Sequence, residues 1–285
     1  MTIEQEIIDY WSVKPPFKGD GDVHDLAWSH SISKHRYAVI PYLRSWMNPE
    51  AYAGKSVLEI GCGAGTDLLE FAKAGALVAG VDVTDTALKL TEERILLEGV
   101  NYNLIKIAAY SGKRLPYSEN KFDLVYAYGV LHHTPFIDDL ISEIHRVLKP
   151  GGRLKAMVYH KHSFLYYYSI LYLRYLQQGL ADYSRDDALS QYSEFREGCP
   201  FTRVYSIADL RDRCWLFSVA QTRTEYPVYD SLTERKIPIT EGLLVKRTGI
   251  VDIDTFFDKV NKLLNLNDPT ALKSVGWHLL VQAQK

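Results

Sequence analysis

Apolar and polar positions change period along this chain, and the changes lay out its elements. From Ser56 onward, short apolar, often β-branched runs alternate with stretches whose apolar residues recur every three or four positions. The segments SVLEI (56–60), ALVAGV (76–81), NLIKIAA (103–109), FDLVYAY (122–128) and RLKAMVYH (153–160) read as strands. Helical periodicity over 66–74, 84–98 and 137–148 fills the gaps, and this regular alternation predicts a parallel sheet. The third helix runs into Lys149-Pro150-Gly151-Gly152, where proline cannot continue a helix and the glycines supply a turn into the next strand. A helix over 206–214, a strand LFSVAQTRTEY (216–226), a helix over 252–264 and a final strand GWHLLVQAQ (276–284) complete the predicted sheet.

Two regions stand outside that alternation. Before Ser56, segments 2–11 and 31–47 have helical periodicity and are joined by KPPFKGDGD, which predicts a lid across a ligand mouth. After His160 the pattern becomes tyrosine-rich and mostly helical (163–198), then passes through the loop REGCPFTRVYS, as an insertion over the sheet would. The predicted organisation is a helical lid (1–48), a nucleotide-binding core (49–160), a helical cap insertion (161–204) and the C-terminal part of the core sheet (205–285). There is no internal repeat that would suggest a solenoid.

Composition narrows the partners. At 285 residues and 47% hydrophobic, the chain can build a sizeable core. Its 33 lysines and arginines nearly balance 35 acids, so no long-range field favours nucleic acid or an anionic membrane, and a small molecule fits better. Cys62, Cys199 and Cys214 are odd in number and lack CxxC spacing, which argues against a disulfide framework or a zinc site and for a reducing, cytoplasmic setting. The start MTIEQEIIDYWSV carries acids and lacks the basic and apolar regions of a signal peptide. The most apolar stretch, FLYYYSILYLRYL (164–176), is too short to span a membrane and contains Arg174.

The chemistry concentrates in EIGCGAGTD (59–67), at a strand-to-helix turn. A dinucleotide fingerprint needs its third glycine at position 66; Thr66 stands there and the glycine is Gly65, which weakens an NAD reading. What remains is Glu59, the glycines Gly61, Gly63 and Gly65, and Asp82 at the end of the second strand. Glycines let a backbone approach a ligand closely, and a carboxylate at Asp82 can accept from both hydroxyls of a ribose. Thr66 and Asp67 read as helix-capping groups, and Cys62 as a small residue without chemistry.

At this point the chain resembles the class I S-adenosylmethionine (SAM)-dependent methyltransferases, through VLEIGCGAGTD, VAGVDVT, FDLVYAYGVLHHTP and ISEIHRVLKPGGRL, in order from about Lys55 to Tyr159. The resemblance implies a Rossmann-like, seven-stranded, mostly parallel sheet with helices on both faces, its last strand antiparallel, and SAM as cofactor. It further implies that Gly61 and Gly63 lie against the methionine part of the cofactor and that Asp82 holds the ribose. Ser111 and Gly112 fall where the family often has an acid and a small residue contacting adenine. Val130, with Leu131, packs on the adenine or the cofactor tail. Glu59 either satisfies backbone amides of the turn or meets the cofactor amine, and Arg36, with Tyr37 beside it, reaches the cofactor carboxylate.

Tyr128, His132 and His133 follow the fourth strand, whose C-terminal end faces the ligand crevice in such a sheet, and are the candidate catalytic residues. For either histidine the competing reading is a hydrogen-bonded structural side chain. No metal ligand is assigned: His160 and His162 have a ligand-like spacing but no acid or cysteine nearby, and they read as exposed or substrate-contacting. Tyr166, Tyr167, Tyr168, Tyr172 and Tyr175 have helical spacing and read as core packing, or alternatively as the wall of a pocket for an aromatic or apolar acceptor. The function implied is methyl transfer to a small molecule. A SAM-binding protein without catalysis and an NAD-dependent enzyme are the alternatives, while the acceptor and the oligomeric state stay open.

Overall fold

The apolar runs of the sequence become strands buried on both faces: Val57, Leu58 and Ile60, and likewise Leu124, Val125, Tyr126 and Ala127, are all inaccessible. The computed structural model describes residues 1–13, 25–100, 106–109, 114–178, 183–194, 198–225, 247–266 and 271–285. Strands β1 (Ser56–Ile60), β2 (Leu77–Asp82), β3 (Lys106–Ala109), β4 (Phe122–Tyr128), β5 (Leu148–Tyr159), β6 (Val219–Glu225) and β7 (His278–Gln284) form one sheet in the order β3-β2-β1-β4-β5-β7-β6. β1 to β5 pair in parallel, whereas β7 runs antiparallel to both β5 and β6. This is a mixed α/β, Rossmann-like fold. The strand order reverses between β1 and β4, so the C-terminal ends of these two strands flank the crevice where ligands bind in such sheets.

Helices α4 (Thr66–Lys73), α5 (Asp85–Leu97) and α6 (Ile137–Val147) connect the parallel strands. The turn predicted at Lys149–Gly152 is instead a bulge inside β5. Pairing jumps from Phe122↔Leu148 to Leu124↔Arg153, with Gly151 at φ 79°, because the strand resumes directly after α6 and proline and two glycines are tolerated only where the ladder is interrupted.

The N-terminal region forms α1 (Ile3–Val13), α2 (Leu26–Val39) and α3 (Leu43–Met47). Asp25 caps α2 by accepting from the Trp28 amide at 2.8 Å. The single helix predicted over 31–47 is broken, because the residue before a proline is pushed out of the helical region: Ile40, preceding Pro41, has φ −121° and ψ 74°. The predicted link over 14–22 lies outside the described residues, as do 103–105 of the third predicted strand.

After β5 the chain winds as a π-helix (Leu165–Gln177), then α7 (Arg185–Tyr192), α8 (Ile207–Arg213) and α9 (Val251–Asn265). Tyr166, Tyr167 and Tyr172 are buried in one cluster with Phe256 and Phe257 of α9, and Tyr167 stacks on Phe256 at 4.2 Å. These three tyrosines pack, as the amphipathic reading expected. Among the described residues no helix is long and apolar enough to cross a membrane.

Candidate active site

The glycine turn after β1 is built by backbone that only glycine adopts without strain. Gly61, Gly63 and Gly65 have φ 68°, 55° and 69°. A Cβ on Gly61 would lie 2.4 Å from Val130 Cγ2, and one on Gly65 would lie 2.8 Å from Thr91 Cγ2; at Gly63 nothing lies within 4 Å. The outer two glycines therefore permit packing, and the middle one faces open space.

Asp82, at the end of β2, holds that turn. Its Oδ2 accepts from the Gly63 amide at 3.1 Å, and its Oδ1 accepts from the Thr84 amide and hydroxyl, both at 2.9 Å. Burial raises its pKa against these three bonds, and an ionised carboxylate with about four lone-pair sites keeps capacity for a further donor. Glu59, one strand over, is also buried. Its Oε2 has no partner, and burial followed by the charge of Asp67 pushes its pKa up. A buried orphan oxygen, an open glycine cradle and a ribose-competent carboxylate on adjacent strand ends fit a cofactor with an amine and a diol. Ser111 and Gly112, expected at the adenine, lie outside the described residues.

Asp67 and Thr66 do not cap α4; its N-cap is Gly65, without a side-chain bond. Asp67 is instead the centre of a buried cluster. It accepts from Arg36 Nε (2.8 Å) and Nη2 (2.5 Å), from the Tyr37 hydroxyl (2.9 Å) and from the Tyr126 hydroxyl (2.9 Å). Arg36 and Tyr37, expected at a cofactor carboxylate, thus make these bonds to the protein's own carboxylate, and the Arg36 guanidinium also lies 5.1 Å from the Tyr128 ring centre. Thr66 accepts from Arg94, a fully buried side chain that sequence reasoning passed over. Arg94 donates to Ala64 O (2.7 Å) and Thr66 Oγ1 (2.7 Å) on the glycine turn, and to Ser29 O (2.9 Å), Ser29 Oγ (3.0 Å) and Ser33 Oγ (2.8 Å) on α2. An arginine within an ordinary amphipathic helix gives no sequence signal of this kind.

The segment YGVLHH leaves β4 toward the crevice. Tyr128 Oη bonds Tyr42 Oη at 2.7 Å and lies 3.1 Å from His278 Nδ1, which Tyr42 meets at 2.6 Å. Tyr42 and His278 were not singled out in the sequence; β7 brings His278 to this edge. Val130 packs on Gly61, while Leu131, His132 and His133 are buried in a short 3-10 turn. Neither ring nitrogen of His132 has a partner, and burial holds its pKa well below 6.5. His133 Nδ1 lies 3.2 Å from Phe201 O and 3.3 Å from Thr202 Oγ1, and burial pushes its pKa down to about 4. On its other side, Nε2 is 3.5 Å from Glu194 Oε1, a buried carboxylate beyond α7 that also accepts from Tyr159 Oη at 2.8 Å. Burial raises the pKa of Glu194 to about 7.

His160 and His162 do not join this group. His160 is buried with Nδ1 3.1 Å from Gly276 O, contrary to the expectation of exposure, because its strand end is covered by the segment before β7; His162 is exposed. Cys62 is buried behind the turn, with its thiol pKa raised by burial, consistent with a packing role.

Residues 58–156 match the family model of a methyltransferase domain. A sterol 4-C-methyltransferase of Caenorhabditis elegans is 32% identical over 124 residues, covering 41% of this chain and 37% of that protein. A ubiquinone biosynthesis O-methyltransferase of Thiobacillus denitrificans is 28% identical over 163 residues, covering 55% of this chain and 68% of that protein. The chain thus spans little more than a third of the length of the first relative and about two thirds of the second. Among solved structures, a magnesium protoporphyrin IX methyltransferase of Synechocystis PCC 6803 superposes with a TM-score of 0.54 at 16% identity, covering 100% of this chain and 98% of that one, which is likeness of fold. The matched region, residues 58–156, is a methyltransferase domain.

Proposed function

We propose that the protein transfers a methyl group from SAM to a small, aromatic or apolar acceptor. One observation carries the reading: Asp82 bonds the open Gly63 while Val130 packs on Gly61, so a cofactor cleft and the YGVLHH segment share one sheet edge. In this reading Gly61 and Gly63 cradle the methionine part, Asp82 takes the ribose hydroxyls, and the orphan oxygen of Glu59 receives the cofactor amine. Ser111 and Gly112 remain the proposed adenine contacts, and the strand order agrees with the family's seven-stranded core. Arg36 acts through Asp67, as a positioning residue for the turn.

When bound, the cofactor supplies an electrophilic methyl group on a sulfonium, so little covalent help is required of the chain. The protein's contribution is alignment and exclusion of water. His132 and His133, held neutral by burial, are in the form that accepts a proton from an acceptor, and Tyr128 shares its hydroxyl with Tyr42 and His278. An open cleft between α1 and α7, bordered by Tyr10, Tyr183, Gln191 and Cys199, supports a lid at 1–48 and a cap at 161–204 that together admit the acceptor. Trp11 of α1 covers the His133 ring edge-on at 5.0 Å. Sterol and ubiquinone-pathway relatives make an apolar acceptor the class to try first.

The test is incubation of the purified protein with methyl-labelled SAM and a cell extract. The expected result is formation of S-adenosylhomocysteine together with an apolar metabolite that gains the label. Binding of SAM without turnover across apolar and polar extract fractions would favour a binding module instead.

A further inference from the structure

The pair His133–Glu194 presents a problem of hydrogen bonding. Phe201 O, 3.2 Å from His133 Nδ1, can only accept, which places the proton of the neutral ring on Nδ1 and leaves a lone pair on Nε2. That lone pair faces Glu194 Oε1 at 3.5 Å, and Oε1 already accepts from Tyr159 Oη. Two acceptors therefore point at each other in a buried site. His132 adds an unmatched ring beside them: it is fully buried, and both of its nitrogens lack hydrogen-bond partners. One ligand atom from each of His132, His133 and Glu194 lies within 4.8 Å of the other two.

We infer that His132, His133 and Glu194 bind a divalent transition-metal ion of the zinc type. An ion bound by nitrogen and oxygen at about 2.0–2.2 Å in a tetrahedron sets its ligand atoms roughly 3.4 Å apart, which the His133–Glu194 spacing matches. Two neutral imidazoles and one carboxylate suit such a cation in donor type, the imidazole lone pairs then serving as ligands in place of the proton-accepting role, and leave a position open for water or a substrate oxygen. The outer contacts are those of a metal site. Nδ1 of His133 is tied to a backbone carbonyl, Glu194 is oriented by Tyr159, and the His132 ring is fixed between His133 at 4.1 Å and Tyr159 at 3.8 Å. A proton on Glu194 would also reconcile it with His133, but would leave His132 without any partner. The ion joins the segment after β4 to the segment after α7, which the sequence keeps apart.

The experiment uses the full chain, stripped with a chelator and titrated with zinc(II), and with cobalt(II) as a spectroscopic probe, in the absence of cofactor and acceptor. It therefore fails or succeeds independently of the methyl-transfer reading. About one ion per chain is expected, with cobalt d–d absorption of tetrahedral intensity. His132→Ala and Glu194→Gln should each weaken binding by more than the roughly 10–100-fold that loss of an outer-shell partner costs, while His162→Ala at the exposed histidine retains it. Should a variant not fold, denaturation of the wild-type protein decides: zinc raises its midpoint if the site exists. Absence of stoichiometric binding, a zinc-independent midpoint, or undiminished binding by folded Glu194→Gln overturns the site.

Discussion

Arg36 and Asp67 are joined by two near-parallel hydrogen bonds, Nε to Oδ1 at 2.8 Å and Nη2 to Oδ2 at 2.5 Å, with side chains 11% and 1% exposed. The pair fastens α2 to the first turn of α4, directly behind the glycine turn. Removing one partner of a buried pair strands the other, so Arg36→Ala should lower unfolding stability by about 3–5 kcal/mol. Arg36→Lys should recover only part of this, since an ammonium cannot reproduce the fork. Urea denaturation of the two variants checks it, and an unchanged midpoint for Arg36→Ala would show that the pair contributes nothing.

Asp82→Ala leaves the Gly63 and Thr84 amides without their acceptor and removes the proposed ribose partner. SAM affinity should fall by about 1–3 kcal/mol. Calorimetry on the folded variant measures this; wild-type affinity would remove Asp82 from the cofactor site.

Gly61→Ala should be worse than Gly63→Ala for folding, because its new methyl group meets Val130 Cγ2 at 2.4 Å whereas that of Gly63 meets nothing. Both carry the backbone cost of a positive φ, roughly 1–2 kcal/mol. Gly63→Ala should instead act on cofactor binding. The double variant Gly61→Ala/Val130→Ala should recover part of the stability lost by Gly61→Ala alone, and strict additivity of the two single changes would contradict the contact.

Burial pushes the pKa of His278 down to about 3 and that of His160 to about 4, with Arg36 adding to the first and His162 and Lys259 to the second. Both are neutral when folded, while the unfolded chain protonates them near 6.5. The unfolded state therefore binds more protons below pH 6.5. The stability they contribute is complete above that pH and is lost as pH falls toward 4, by up to about 1.4 kcal/mol per unit for each. His278→Gln should flatten this acid limb in a pH series of denaturation midpoints, and an equally steep limb in the variant would exclude His278 as a source.

No residue of α1 is fully buried, so deletion of residues 1–13 should leave folding and SAM affinity near wild type while reducing turnover by exposing His133 to water. Circular dichroism, cofactor binding and S-adenosylhomocysteine formation together test this, and full turnover would show that α1 is no lid. Deletion through residue 30 is a different perturbation, since it removes Trp28 and Ser29 and leaves Arg94 buried without two of its acceptors.

The sequence by itself determined most of the strands and helices and pointed to the glycine turn and Asp82, where the cofactor is proposed to bind. Strand periodicity placed β1 and β4 at the residues observed, since each is a run of apolar positions whose neighbours in the sheet are equally apolar. Gly61, Gly63 and Asp82 were legible because their chemistry is local: a turn needs a positive φ, and a strand end needs an acceptor. Thr66 and Asp67 were misread for the same reason. Local rules made them caps, whereas Arg94 from α5 and Arg36 from α2, distant in the chain, took their oxygens. Only the tertiary structure decided those pairings, the bulge at Pro150, and the meeting of His132 and His133 with Glu194. Period and propensity describe neighbours along the chain, while a buried charge or lone pair is matched by whichever segment the packing of the sheet and its covering helices brings within bonding distance.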